Sequence, residues 1–477
     1  MRPACAVAVR CAAPEQTQSY CVGAAKRDLT PRALEGIFLG GYGLGPTRRA
    51  AGVAGRLYAR AMAITGGSAT LVFCALDSQG HFLAYRNGPY GFADIRRRVA
   101  AERAIPDSSV IAASTHDHSA PDDTGVWGGV PAGYLKYMSE QTVAAIEAAL
   151  DSQRPADLLW GQFDTTPYNL LQNVLPPAYP IDPMLRVLVA RDKQGAIIAT
   201  LINFSAHADV LGEDNRLIAP DWPGAAATAL ERAAPGSVAI VMPGSIGRTE
   251  PRTVATSTNG ELAAARAYGE TVARLARRAL EGAHVASGAI AVSQTELQEA
   301  VRNRALRNLD FEAKSGFWNQ AVAAILPLRL RLTLGLTVYG EPGVDLLLRA
   351  DRPPYLQDRD KVQTLVSVAR IGDLFFGAVP VESYPETGLV VAQRVRAKEH
   401  FIISLAEDQL GYDPPAYAMP VVQQCSPTDE AFFTISARLG ADVTRALLSQ
   451  AQKLGFEVTD TAYSDLSGGP TKPVFCR

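Results

Sequence analysis

The strongest constraint on the fold is an alternation kept up over most of the chain. Short apolar runs that read as strands are separated by longer stretches whose apolar residues recur every three and four positions. "RLYARAMAI" and "ATLVFCALD" flank "TGGS" and read as a hairpin-like pair. "GFADIRRRVAAERA" predicts a helix leading to the strand "SSVIAAST", and "AGYLKYMSEQTVAAIEAALDSQ" a second helix. "LRVLVARDKQGAIIATLINFSA" gives two strands around a Lys-Gln-Gly turn. "DWPGAAATALERAA" is a helix with Pro223 near its start, followed by the strand "SVAIVMP" and the helix "LAAARAYGETVARLARRALEGA". From 287 to about 350 the pattern becomes two-residue alternation, in "AIAVSQTELQEAV" and "LRLRLTLGLTVYG", which fits an antiparallel, partly exposed sheet. "VQTLVSVARIGDLFFGAVP" gives two more strands, then come a helix from about Tyr384, the strand "FIISLA" and the helix "ARLGADVTRALLSQAQKLG". The expectation is an α/β or α+β fold with a mixed sheet, with residues 1–21 a poorly structured segment and 22–477 a single domain.

Totals exclude several function classes. The chain has 477 residues, 47% apolar and 20% charged, with a formal net charge of −2, the balance of a globular protein. Without a basic excess to neutralise phosphates, no nucleic-acid partner is expected. No run approaches the ~20 apolar residues of a membrane span. The N-terminal "MRPACAVAVRCAAPEQ" loosely resembles an export signal, but Arg10 breaks its apolar run. A cytoplasmic location is therefore favoured over export. The six cysteines form no C-x-x-C, so no zinc ribbon is indicated. Cys74, inside a strand-like run, reads as a buried small hydrophobe, and a Cys425–Cys476 bridge is one pairing the sequence allows.

Histidine is scarce, with six in the chain, and two of them fall in "ASTHDHSAP". Four residues able to bind a metal each follow a separate strand-like run: His116 after "VIAAST", His207 after "IATLINFSA", Glu382 after "LFFGAVPV" and Tyr412 after "FIISLAEDQLG". In α/β sheets, reacting groups gather beyond the carboxyl ends of strands. If those strands are neighbours, the four side chains converge. Taken singly, each has a bland reading. His116 and His118 share one side of an extended chain, so only a local turn brings both into one site. His207 fits a satisfied core or surface histidine, Glu382 before Pro385 a helix N-terminal carboxylate, and Tyr412 a packed aromatic. As a set they match what a catalytic zinc takes, three or four N/O ligands plus a place for water, with a second histidine beside a ligand to hold a proton. The metallo-β-lactamase pattern fails because Ala120-Pro121 stands where Asp-His is needed. An amidohydrolase barrel would need further histidines at strand ends, and His284 and His400 follow helices.

The blocks resemble, in order from about residue 22 to about 420, the catalytic domain of the neutral (non-lysosomal) ceramidases. "VGAAKRDLTP" with "FLGGYG" is similar to that family's opening, "ASTHDHSAP" to its T-H-x-H-S-x-P block, and "NFSAHADVLGEDNRLIAPDWPG" to its second histidine block. "GAVPVESYPETG" is similar to its V-P-x-E segment and "SLAEDQLGYDPP" to its metal-binding tyrosine stretch. The resemblance implies one zinc per chain held by His116, His207, Glu382 and Tyr412. It makes His118 a general acid/base in hydrolysis of an amide in a lipid-like N-acyl substrate. Asp221 is kept as a partner for a metal-bound imidazole, since such rings usually donate their free N–H to an oxygen.

Departures bear on the substrate. The family's arginine is missing from "YNLLQNVLPPAY", and Glu250 in "GRTEP" stands where the family has serine. No C-terminal immunoglobulin-like domain is expected after the tyrosine block. An acyl transferase or cyclase using the same zinc, or a non-catalytic lipid- or small-molecule-binding relative, is therefore carried alongside the hydrolase. "MPGSIGRTEP" reads as a tight turn with glycines at positive φ, and Gly40, Gly41 and Gly43 around Tyr42 as a glycine-rich turn. Asp122, Asp123, Asp209 and Asp214 read as solvated or capping acids.

Overall fold

The computed structural model describes residues 20–43, 47–85, 88–175, 180–253, 258–303, 357–358, 361–426 and 429–460. Nine strands form the first sheet: β1 (Tyr20–Asp28), β2 (Tyr58–Gly66), β3 (Ala69–Leu76), β4 (Val110–Ser114), β5 (Arg154–Asp164), β6 (Met184–Asp192), β7 (Ile197–Phe204), β8 (Val238–Pro243) and the short β9 (His284–Ala286). Their order is β8-β7-β6-β5-β1-β2-β3-β4, with β9 beside β5. The pairs β3–β4 and β7–β8 are parallel and the others antiparallel, so the sheet is mixed as expected. The hairpin read from "TGGS" is present, closing Gly66 against Ala69 with Gly67 at φ +61°. The first strand starts at Tyr20, inside the segment read as poorly structured.

A second sheet runs β10 (Ile290–Ala300), β11 (Lys361–Ile371), β12 (Leu374–Ala378), β13 (Glu399–Ile403), with Gln357–Asp358 on β11. It too is mixed, since β12 and β13 are parallel. The partly exposed alternation of "AIAVSQTELQEAV" appears in β10, whereas "LRLRLTLGLTVYG" lies outside the described residues. Cys425 is disulfide-bonded, and Cys476, its expected partner, also lies outside them. Cys74 is a buried free thiol, as read from its strand.

The two-residue period of strand side chains explains the layers. Leu71, Phe73 and Ala75 of β3 face the second sheet, where they join Phe376, Phe401 and Ile403 in one core. Val72, Cys74 and Leu76 of the same strand face α1 (Phe92–Arg103) and α2 (Ala132–Asp151). At the other end, Ala239 and Val241 of β8 face α3 (Asp221–Ala233) and α4 (Thr258–Ala279). The outer face of the second sheet, with Phe375 and Ile402, packs on α5 (Pro385–Arg394), α6 (Met419–Cys425), α7 (Glu430–Phe433) and α8 (Leu439–Lys453). The result is helix, sheet, sheet, helix. The phenyl rings of Phe376 and Phe401 stack at 4.6 Å, with Phe73 5.0 Å away, at the centre of the inter-sheet core.

Polar bonds tie the sheets together at the carboxyl ends of their strands. Asn203 Nδ2 donates to Ile402 O (2.7 Å), and Ser404 Oγ donates to Gly244 O (2.6 Å). The chain leaving β13 runs beside β4, with Ser114 N donating to Leu405 O and Glu407 N to Ala112 O. That seam is where the candidate residues meet.

Candidate metal centre

His116 follows β4 and takes φ +63°, a left-handed conformation that a non-glycine residue rarely adopts. This is the local turn that an H-x-H on an extended chain requires. It is held by Thr115 N to Leu76 O (2.8 Å) and Asp117 N to Ser78 O (3.0 Å). The loop after β7 then pairs with it: Asp117 bridges Ala208, and His118 N donates to Ala208 O (3.0 Å). β4 is an edge strand and β7 lies next to the opposite edge, so the two histidine blocks meet through their loops and not through neighbouring strands. Glu382 and Tyr412 follow β12 and β13, which are neighbours. Their segments continue the pairing, with Glu382 bridging Tyr412 and Glu382 N donating to Gly411 O (2.9 Å).

The nitrogen atoms of His116, His118 and His207 lie within 4.8 Å of one another, and all three residues are buried, so they can hold a metal ion. Glu382 Oε2 sits 3.1 Å from His116 Nε2 and 3.3 Å from His207 Nε2, and His118 Nε2 is 3.1 Å from His116 Nε2. A tetrahedral ion with bonds of about 2.0–2.1 Å separates its donors by about 3.3 Å, so these spacings are those of ligands around one centre. Glu382 Oε2 is buried yet accepts no well-aligned hydrogen bond. The atoms crowd towards a common point, which fits a divalent cation. The Tyr412 phenol is hydrogen-bonded to the Glu382 carboxylate.

The other ring nitrogens are committed. His116 Nδ1 donates to Gln79 O (2.9 Å) and His207 Nδ1 to Thr249 O (3.2 Å), leaving both Nε2 atoms for the centre. Asp221 does not take the imidazole role expected of it. Its carboxylate accepts from Leu211 N (2.8 Å) and Trp222 N (2.5 Å), and the Trp222 indole donates to His207 O (2.6 Å). It steadies the His207 loop at one remove because backbone carbonyls already occupy both rings.

Electrostatics follow from burial and this crowding. Burial, then the His116 and His207 rings, push His118 well below its ordinary value. For His207 burial acts downward, but the adjacent Glu382 carboxylate, with the charges of Asp209 and Glu250, overrides it and holds the ring at about 10. Burial acts upward on Glu382 and is outweighed by His116 and His207, which keep it well below the carboxylate range. Burial pushes the Tyr412 phenol far up. A bound cation would supply the positive charge that holds Glu382 ionised here.

Other readings are corrected here. Gly244 and Gly247 of "MPGSIGRTEP" do not have positive φ. A Cβ at Gly247 would lie 2.5 Å from the Tyr384 ring and 2.6 Å from Glu382 O, so this glycine allows close approach to the Glu382 strand. Gly41 (φ +100°) packs its backbone on His118, where a Cβ would come within 2.3 Å of the ring. Asp122 and Asp123 are buried, not solvated. Asp122 accepts from Thr124, Gly125, Trp127 and Gly129, and Asp123 pairs with His81 at 2.7 Å. Asp214 is exposed, as read. His284 lies on the Trp160 ring and His400 bonds Val395 O, both outside the cluster. Residues the sequence reading missed are Gln79 and Thr249, which act through backbone carbonyls, and Gln409, whose Nε2 donates to Glu382 Oε1 (3.1 Å).

In comparison with known proteins, the family model for "Neutral/alkaline non-lysosomal ceramidase, N-terminal" matches residues 20–265, which hold both histidine blocks. No curated protein matches the sequence. Among solved structures, the chain resembles the neutral ceramidase from Pseudomonas aeruginosa, with TM-score 0.71 and 18% identity over 95% of this chain and 79% of that one. It also resembles a ceramidase complexed with C2, with TM-score 0.70 and 18% identity over 94% of this chain and 77% of that one. The family model spans more than half of the chain, from β1 into α4, and so the chain belongs to the neutral/alkaline non-lysosomal ceramidase family.

Proposed function

We propose that the chain is a zinc-dependent hydrolase that cleaves the amide of an N-acyl, lipid-like substrate, with one zinc held by His116, His207, Glu382 and Tyr412. The supporting observation is the buried Glu382 Oε2, 3.1 and 3.3 Å from two imidazole nitrogens and without a well-aligned hydrogen bond. Zinc bound there supplies a Lewis acid for the amide carbonyl and lowers the pKa of a water to about 7. The protein's part is orientation and proton handling. Gln79 O and Thr249 O fix the tautomers of His116 and His207, so that neither ring can turn its donor nitrogen away. His118 lies beside the centre with Nδ1 free of any hydrogen bond, and it carries the proton that must reach the leaving amine nitrogen. Arg48, buried, donates to His118 O (2.8 Å) and Gly40 O (2.6 Å) and keeps that loop in place.

The test is metal content by elemental mass spectrometry, with fatty-acid release from N-acyl sphingoid bases and simpler N-acyl amines. Wild type is expected to hold about one zinc per chain and His207→Ala none. His118→Gln should keep the zinc and lose roughly 100-fold or more in turnover. A wild-type chain that takes up no zinc, or a zinc-loaded chain that releases acid from none of these amides, overturns the proposal.

A further inference from the structure

Glu382 has two oxygens, and they have different partners. Oε2 faces the two imidazoles; Oε1 accepts from Gln409 Nε2 at 3.1 Å. Gln409 is itself buried and clamped on several sides. Its backbone N donates to Asp408 Oδ1 (2.9 Å). The same Asp408 carboxylate accepts from Leu83 N (2.9 Å) and Thr364 Oγ1 (2.8 Å), so it ties three segments of the fold together. The next residue is fixed by Leu410 N to Pro380 O (2.8 Å), on the chain just ahead of Glu382. The side chain then passes over Gly80, where an added Cβ would lie 3.0 Å from Gln409 Cγ and 3.1 Å from Cδ. Gly80 follows Gln79, whose carbonyl orients His116.

We infer that Gln409 is a positioning residue that holds Glu382 Oε1 by its amide and so presents Oε2 alone to the metal. The inference rests on the metal reading proposed above. An amide suits this task because it donates to a carboxylate without adding a charge that would compete with the cation. Losing that hold frees the carboxylate to rotate, bringing in both oxygens or pairing with the imidazoles, and metal-site partners of this kind typically change affinity 10–100-fold.

The experiment is titration of the metal-stripped full chain with Co2+, reading affinity by competition with a chelator and geometry from the visible absorption bands. Thermal melting of the stripped protein monitors the fold. Wild type is expected to bind one Co2+. Gln409→Leu should bind it roughly 10–100-fold more weakly with a changed spectrum, and Gly80→Ala, which crowds the glutamine and Thr124 but no metal donor, should shift the spectrum in the same direction by less. If Gln409→Leu melts out of the fold, the Gly80→Ala spectrum decides. Wild-type binding with unchanged affinity and spectrum in the folded variants overturns the positioning role and leaves the metal reading intact. A wild type that binds no divalent ion removes the metal reading itself.

Discussion

The first sheet brings its three histidines to the site from loops that follow two strands far apart in the sheet, whereas the second brings Glu382 and Tyr412 from parallel neighbours whose pairing simply continues. On the first side the geometry depends on unusual backbone, His116 at φ +63° and Asp221 at φ +39°, held by tertiary hydrogen bonds. On the second side, Glu382 and Tyr412 keep ordinary φ and are fixed by backbone pairing; the left-handed residues there, Leu405, Glu407 and Gly411, lie between β13 and Tyr412. The difference teaches that the site is a seam. Neither sheet alone offers both the imidazoles and the carboxylate, so under the proposed zinc reading metal affinity would measure how well the two sheets dock.

The largest effect tests that seam directly. His207→Ala on one sheet and Glu382→Ala on the other should each abolish stoichiometric zinc and lower activity at least about 100-fold. Retained zinc in either variant, by elemental mass spectrometry, would mean that one sheet suffices. Next comes the inter-sheet core. Phe376→Ala, at a fully buried ring between Phe401 and Phe73, should cost about 3–5 kcal/mol in urea unfolding. It should also weaken zinc binding without touching a donor, and unchanged zinc affinity would show that the docking is not shared. Gly41→Ala acts on the first sheet's side only. Its Cβ would displace the His118 ring, so turnover should fall about 10–100-fold with zinc content unchanged.

The smallest effect concerns pH and the helices behind the second sheet. Burial raises the Glu430 carboxyl from 4.5 to about 8, although the Tyr384 hydroxyl donates to it at 2.7 Å. Between those values the folded chain holds a proton that the unfolded chain has released. Stability therefore falls as pH rises through the window, and this contribution is flat outside it. Glu430→Gln should remove that slope, seen as a narrower gap between urea midpoints at about pH 5 and about pH 8. An unchanged gap would assign the slope to other groups.

Much of the layering was legible because strand periodicity is two and helix periodicity 3.6, and the core follows both. The convergence of His116, His207, Glu382 and Tyr412 was legible as a set of residues following strands, though the reason given, neighbouring strands, holds only for the second pair. What stayed hidden was backbone chemistry. No side chain announces that Gln79 and Thr249 will orient the rings through their carbonyls, and a positive φ at a histidine has no sequence mark. Asp221 was found in the right place with the wrong partner. Gln409 was missed because an amide three residues before Tyr412 looks like any polar loop residue until its contact with Glu382 is seen.

The spread of the donors along the chain sets a schedule for assembly. Glu382 lies 175 residues beyond His207 (382 − 207), so at about 5–20 residues per second of synthesis the second histidine waits about 9–35 s for its carboxylate. During that interval the nascent chain has its imidazoles without Glu382, the carboxylate that lies between two of them. Under the proposed zinc reading, metallation would be among the last events in the making of each molecule, and ribosome-arrested chains ending before Glu382 should capture no stoichiometric zinc.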